Sequence, residues 1–79
     1  MPTVFRSGEY RFFFFSNEGN EPVHIHVESG PGYAKFWIEP EILVESSGFR
    51  SHELSVLRRI INERSDEIKR KWNEHFSSS

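Results

Sequence analysis

The chain contains no cysteine in its 79 residues. This absence excludes disulfide bonds and thiolate metal sites. Long apolar runs are missing as well. The run Phe12–Phe15 is far too short for a membrane span or for the apolar segment of a signal peptide. We therefore expect a cytoplasmic protein that does not associate with a membrane.

An excess of positive charge is also lacking, because ten Lys and Arg residues face twelve Asp and Glu residues, for a net charge of −2. No strong field therefore attracts nucleic acid. Aromatic residues are abundant instead, with eight Phe, two Trp and two Tyr. They can supply the core that so short a chain otherwise lacks. The length predicts a single domain over residues 1–79.

Several segments have the composition of β-strands. Residues 22–28 alternate strictly between apolar and ionisable side chains, which is typical of a strand with one buried face. Aromatic and β-branched runs between turns rich in Gly, Pro and Asn predict further strands. The predicted strands cover residues 3–6, 9–16, 23–28 and 33–39. Residues 41–50 fit either a loop or a short edge strand.

The C-terminal third has the pattern of an amphipathic helix. Ser51 is a suitable N-cap, and the predicted helix covers residues 52–76. Ser65–Glu67 could instead cap a second helix, but we favour one long helix. The predicted fold class is α+β, with a small antiparallel sheet of three to four strands and the long C-terminal helix packed on one face. The apolar helix positions recur at steps of three and four: Leu54, Leu57, Ile61, Ile68, Trp72 and Phe76.

Strand parity assigns the side chains to two sheet faces. A hairpin closed by Ser29–Gly32 pairs residues 23–28 with residues 33–38, and a symmetric hairpin across residues 16–22 pairs Phe12 with His26. Arg11 then falls on the apolar face. The predicted apolar face comprises Phe13, Phe15, Val23, Ile25, Val27, Ala34, Phe36 and Ile38. The predicted opposite face, which we call the histidine face, comprises Tyr10, Phe12, Phe14, His24, His26, Glu28, Tyr33, Lys35 and Trp37.

His24 and His26 are the candidate catalytic residues. Alternate residues of a strand lie about 6–7 Å apart on one side, and imidazole titrates near neutrality. The two rings could therefore act as acid and base in RNA cleavage, with Lys35 stabilising the negative charge of the transition state. In the alternative interpretation both rings are hydrogen-bonded within a protein interface. The candidate residues for binding a substrate or partner are Tyr10, Phe12, Phe14, Glu28, Tyr33 and Trp37.

Metal binding is a further alternative, because imidazole suits Zn, Ni or Cu. Glu28 could supply a third ligand, and Glu18 or Glu21 could reach the histidines from the preceding loop. The favoured interpretation assigns no metal ligand and no cofactor.

The order of several segments resembles a known family. It is similar to the small bacterial family called domain of unknown function 4160 in Met1–Arg6, Tyr10–Ser16, Glu21–Pro22, His24–Val27, Tyr33–Trp37, Gly48–Phe49 and Trp72–Asn73. Members are often encoded beside a protein of the family called domain of unknown function 2442, in pairs that look like toxin–antitoxin modules. The resemblance implies no established catalytic residue.

We therefore expect one component of a toxin–antitoxin-like module, the toxin rather than the antitoxin, acting as a metal-independent ribonuclease. One alternative is a non-catalytic interaction module, either an antitoxin or a regulatory subunit. A second alternative is a small metal-binding protein. The expected partners are a cognate small protein from a neighbouring gene, a second copy of the chain, or RNA.

Overall fold

The computed structural model describes residues 3–76. Within them, five strands form one antiparallel sheet in chain order and two helices follow. The predicted domain boundaries at residues 1 and 79 lie outside the described residues. The elements are β1 (Thr3–Ser7), β2 (Tyr10–Phe13), β3 (His24–Ser29), β4 (Gly32–Ile38), β5 (Glu41–Ser47), α1 (Ser51–Glu63) and α2 (Ser65–Phe76).

The α+β class is confirmed, but the numbers of strands and helices differ from the prediction. The segment that fitted a loop or an edge strand is β5, which pairs antiparallel with β4 along its length. The single long helix is wrong, because Arg64 leaves helical geometry at φ −115° and ψ 21°. Asp66 and Glu67 stand in the first turn of α2, where carboxylates favour a new helix N-terminus.

The predicted register of β3 and β4 is confirmed. His24 pairs with Trp37 and His26 pairs with Lys35. The hairpin is closed by a tight turn in which Gly30 has a φ of +54°, a conformation that glycine adopts without strain. A turn this short fixes which residues face each other.

The predicted register of β2 and β3 is wrong by one residue. Phe13, not Phe12, pairs with His26, while Phe12 pairs with Val27 and Arg11 pairs with Glu28. A shift of one residue moves each side chain of β2 to the other face. β2 ends at Phe13, so residues 14–23 form a long connection rather than a symmetric hairpin.

The core lies between the helices and one face of the sheet. The five apolar residues of β3 and β4 that were predicted to face the helix are buried there, namely Ile25, Val27, Ala34, Phe36 and Ile38. The helices contribute Leu57, Ile61, Ile68 and Trp72. None of the helices within residues 3–76 is long and apolar enough to cross a membrane.

Candidate functional site

Three potential ligand side chains meet at one end of β3. His24 and His26 are two residues apart on this strand and so point to the same side of the sheet. Glu18 reaches them from the connection between β2 and β3. One ligand atom from each of the three side chains lies within 4.8 Å of the other two. The sequence named Glu18 as a carboxylate that could reach the histidines, and the structure places it between them.

His24 is fully buried and has an unusual hydrogen-bond arrangement. Its Nδ1 lies 2.9 Å from the carbonyl oxygen of Pro22. A carbonyl only accepts, so Nδ1 carries the proton and the neutral ring has a lone pair at Nε2. That Nε2 lies 2.9 Å from Oε1 of Glu18. The direction of this contact does not suit a hydrogen bond, so Nε2 is a buried nitrogen without a hydrogen-bond partner among the described residues.

His26 is oriented at both of its ring nitrogens. Its Nε2 lies 2.9 Å from Oε2 of Glu18, and its Nδ1 lies 2.7 Å from the hydroxyl of Tyr33. Burial lowers the pKa of His26, and the hydrogen bond and negative charge of Glu18 only partly offset this effect. The neutral form of His26 is therefore favoured, which is the form that can act as a ligand.

Glu18 is held as a carboxylate. Burial raises its pKa, but hydrogen bonds from the backbone N–H of Phe15 and from His26, together with the close approach of the His24 ring, outweigh that effect, and the net pKa is lowered. The Phe15 N–H donates to Oε1 over 2.9 Å. The backbone of the same loop thus orients the carboxylate independently of the two imidazoles.

The predicted site residues outside this cluster have other contacts. Lys35 forms an ion pair with Glu21 over 3.3 Å, and its ammonium group lies 4.9 Å from the centre of the Trp37 ring. Trp37 packs edge-on against His24, with ring centroids 5.5 Å apart. Glu28 pairs with Arg11 over 2.6 Å, and it is not in the three-residue cluster with the histidines.

Three aromatic residues predicted on the histidine face lie on the helix side instead. Phe12 is fully buried and stacks on Phe5. Phe14 is 2% exposed and packs against Trp72 of α2. Tyr10 packs against the core beside Phe49. Tyr10 and Phe12 lie on the helix side because the register of β2 is shifted by one residue. Phe14 follows the end of this strand.

The same shift brings three residues to the histidines' side that the sequence assigned to the apolar face. Phe13 stacks on His26, with ring centroids 5.4 Å apart. Phe15 packs edge-on against His26 at 4.9 Å. The guanidinium of Arg11 lies 4.4 Å above Phe13. The polar Arg11 within an otherwise apolar face was the sequence signal that this register was wrong.

Comparison with known proteins places the chain in a family. The family model Domain of unknown function (DUF4160) matches residues 9–73. The chain belongs to this family. The match covers the DUF4160 chain from β2 into α2, including all three residues of the cluster. Curated proteins and solved structures provide no match to it.

The geometry limits what chemistry the DUF4160 cluster can perform. His24 is 0% exposed and His26 is 3% exposed, so neither ring presents a nitrogen to a bulky substrate. The side chain of Glu18 is 13% exposed, which makes it the most exposed of the three. This arrangement suits a small species held between the three side chains better than acid–base catalysis on a polymer.

Proposed function

We propose that this DUF4160 protein is a non-catalytic binding component of a toxin–antitoxin-like pair. Its partner protein binds the sheet face opposite the helices, at a surface that we call the β4–β5 patch, formed by Tyr33, Trp37, Ile42 and Val44. The exposure of this patch is the observation that carries the proposal. Ile42 is 47% exposed and Val44 is 40% exposed, and Ile42 pairs directly with Trp37 across the two strands.

The composition of the patch favours a protein as its partner. Aromatic and aliphatic side chains at the centre with charged groups around them are typical of a protein interface. Exposed apolar surface that is bordered by polar residues commonly marks a contact site. Lys35 and Glu45 pair across the same two strands and supply the charged surroundings.

The charges on this side of the sheet do not favour RNA. Single-stranded RNA is bound by aromatic side chains together with cations that are available to phosphate. Here Arg11 is paired with Glu28, and Lys35 is paired with Glu21. Two cations that could contact phosphate are therefore already neutralised by carboxylates.

The burial of the two imidazoles argues against the ribonuclease hypothesis. An acid and a base must reach the ribose hydroxyl and the leaving oxygen within hydrogen-bond distance. His24 and His26 are covered by aromatic rings and by Glu18. The proposal accordingly assigns the histidines no catalytic role.

Binding to the product of the neighbouring gene tests the proposal. We expect the two purified proteins to form a complex in size-exclusion chromatography with light scattering. Trp37→Ala should weaken this complex by about 30-fold or more in calorimetry, the loss typical of a central aromatic residue at an interface. Ile42→Ser should weaken it as well, without removing a side chain that touches His24.

A matched control is available on α1. Val56 is partly exposed and lies outside the core, so Val56→Ser makes the same kind of change away from the patch and should leave the affinity unchanged. Equal losses in Ile42→Ser and Val56→Ser, or no complex at all, would overturn the proposal. Growth arrest by the protein alone that is relieved by His26→Asn would instead support the ribonuclease hypothesis.

A further inference from the structure

We propose that Glu18, His24 and His26 bind one divalent first-row transition-metal ion of the zinc class. This site adjoins the β4–β5 patch, because Tyr33 of the patch contacts His26 and Trp37 packs against His24, but metal binding does not depend on the partner proposal. Each histidine Nε2 lies 2.9 Å from an oxygen of the Glu18 carboxylate, and one ligand atom from each of the three side chains lies within 4.8 Å of the other two. Two of the three side chains come from one strand, which holds them at a fixed spacing.

Each candidate ligand side chain is oriented by a further contact. The Nδ1 of His24 donates to the Pro22 carbonyl over 2.9 Å, and the Nδ1 of His26 lies 2.7 Å from the Tyr33 hydroxyl. The Phe15 N–H donates to the Glu18 carboxylate. Metal-bound histidines characteristically donate their other ring nitrogen to an oxygen, which fixes the ring and the tautomer.

The lone pair on His24 Nε2 favours a cation between this atom and the Glu18 carboxylate. With the Nδ1 proton committed to Pro22, the Nε2 lone pair and an ionised carboxylate oxygen lie 2.9 Å apart. Two electron-rich atoms approach this closely in a buried site when a positive species lies between them. A proton on the line between the atoms would make a hydrogen bond, but their direction does not suit one. A metal ion bound to both atoms would lie along the direction of the Nε2 lone pair, with the carboxylate oxygen to one side of that direction.

The ligand set selects the class of ion. Two imidazoles and one carboxylate suit zinc and its first-row neighbours, whereas Mg²⁺ and Ca²⁺ prefer oxygen ligands. Three protein ligands leave a fourth position for water or another small ligand. Ligand atoms in a tetrahedral zinc site lie roughly 3.3 Å apart. The two 2.9 Å contacts of Glu18 therefore have to open by a few tenths of an ångström.

Titration of the chelator-treated, tag-free chain with Zn²⁺ tests the site. We expect one equivalent to bind in calorimetry, and we expect Co²⁺ in its place to give the visible absorption of a low-coordinate site. Glu18→Gln keeps the shape of the side chain, and its amide can donate to His24 Nε2. It should nevertheless bind Zn²⁺ more weakly by roughly 100-fold or more, because losing even an outer contact costs about 10–100-fold.

Two further variants separate a ligand from a merely structural residue. His52 is exposed on α1 and is not in the cluster, so His52→Asn should bind Zn²⁺ like the wild type. Tyr33→Phe removes only the hydroxyl that orients His26, and it should weaken Zn²⁺ binding by about tenfold or more without changing the stoichiometry.

Nitrogen NMR of the histidine side chains tests the site in the wild type, and therefore does not depend on whether Glu18→Gln folds. Zn²⁺ should shift the Nε2 resonances of both His24 and His26. The Nδ1 of His24 should stay protonated, whereas the proton that His26 Nε2 donates to Glu18 should move to Nδ1, which then donates to the Tyr33 hydroxyl. Unshifted Nε2 resonances would overturn the proposal, as would equal Zn²⁺ affinity in the wild type and a folded Glu18→Gln. A proton found on His24 Nε2 in the presence of Zn²⁺ would show that the cluster is an ion pair.

Discussion

At the scale of single residues, neighbouring phenylalanines of the run Phe12–Phe15 have different roles. Phe12 is 0% exposed and Phe13 is 2% exposed, yet they lie on opposite faces of the sheet. Phe12 contributes to the core beneath the helices, whereas Phe13 and Phe15 surround His26. Four identical residues in a row carry no alternation of their own, so only the neighbouring Arg11 indicated which of them faces the helices.

Truncation of these rings should separate the two roles. Phe12→Ala should lower the free energy of unfolding by about 3–5 kcal/mol, the usual cost of removing a fully buried Phe. Phe15→Ala should cost clearly less, because Phe15 is only partly buried. Urea unfolding followed by circular dichroism measures both values. A larger loss in Phe15→Ala than in Phe12→Ala would contradict the observed register of β2.

At the scale of secondary structure, short connections were predictable and the long one was not. The tight turn after Ser29 and the strict alternation in β3 determine the pairing of β3 with β4, so His24, His26, Tyr33 and Trp37 were placed correctly relative to one another. Residues 14–23 do not determine the register between β2 and β3, because a connection of that length can adopt many conformations. The position of Glu18 depends on tertiary packing that the sequence does not display.

That connection packs against the end of α2 at Gly19. A Cβ atom built on Gly19 would lie 2.6 Å from Cδ1 of Phe76, a distance at which one of the two must move. Gly19→Ala should therefore destabilise the chain by about 1–3 kcal/mol, the usual cost of overpacking. It should also weaken Zn²⁺ binding, because Glu18 is the adjacent residue. Thermal melting and calorimetry measure the two effects.

Gly8 provides the comparison for Gly19→Ala. A Cβ on Gly8 would meet nothing within 4 Å, although the backbone there has a φ of +59°. Gly8→Ala should thus cost some stability through backbone strain while leaving the affinity for Zn²⁺ unchanged. If both variants bound Zn²⁺ as tightly as the wild type, contact between the loop and α2 would not position Glu18.

At the scale of the whole molecule, the cluster lies where three parts of the fold meet: the long loop, β3 and α2. Glu18 belongs to the long loop and His24 to β3, and the His24 ring packs against Trp72 of α2, with ring centroids 4.9 Å apart. Trp72 in turn contacts Phe14. An ion bound by the cluster would therefore tie the loop to the sheet at the point where α2 rests on both. A chain this short has a small core, so one such link has a large effect.

Metal binding should consequently stabilise the entire fold. A ligand present at 100 times its dissociation constant stabilises the folded state by about 2.7 kcal/mol, and 1 kcal/mol shifts the melting temperature of a domain of this size by about 4–8 °C. We expect Zn²⁺ to raise the melting temperature by roughly 10 °C or more, and we expect a chelator to reverse the rise. Glu18→Gln should show no such rise, while His52→Asn should match the wild type. If Zn²⁺ left the wild-type melting curve unchanged, or raised that of Glu18→Gln equally, the ion would not link these three parts of the fold.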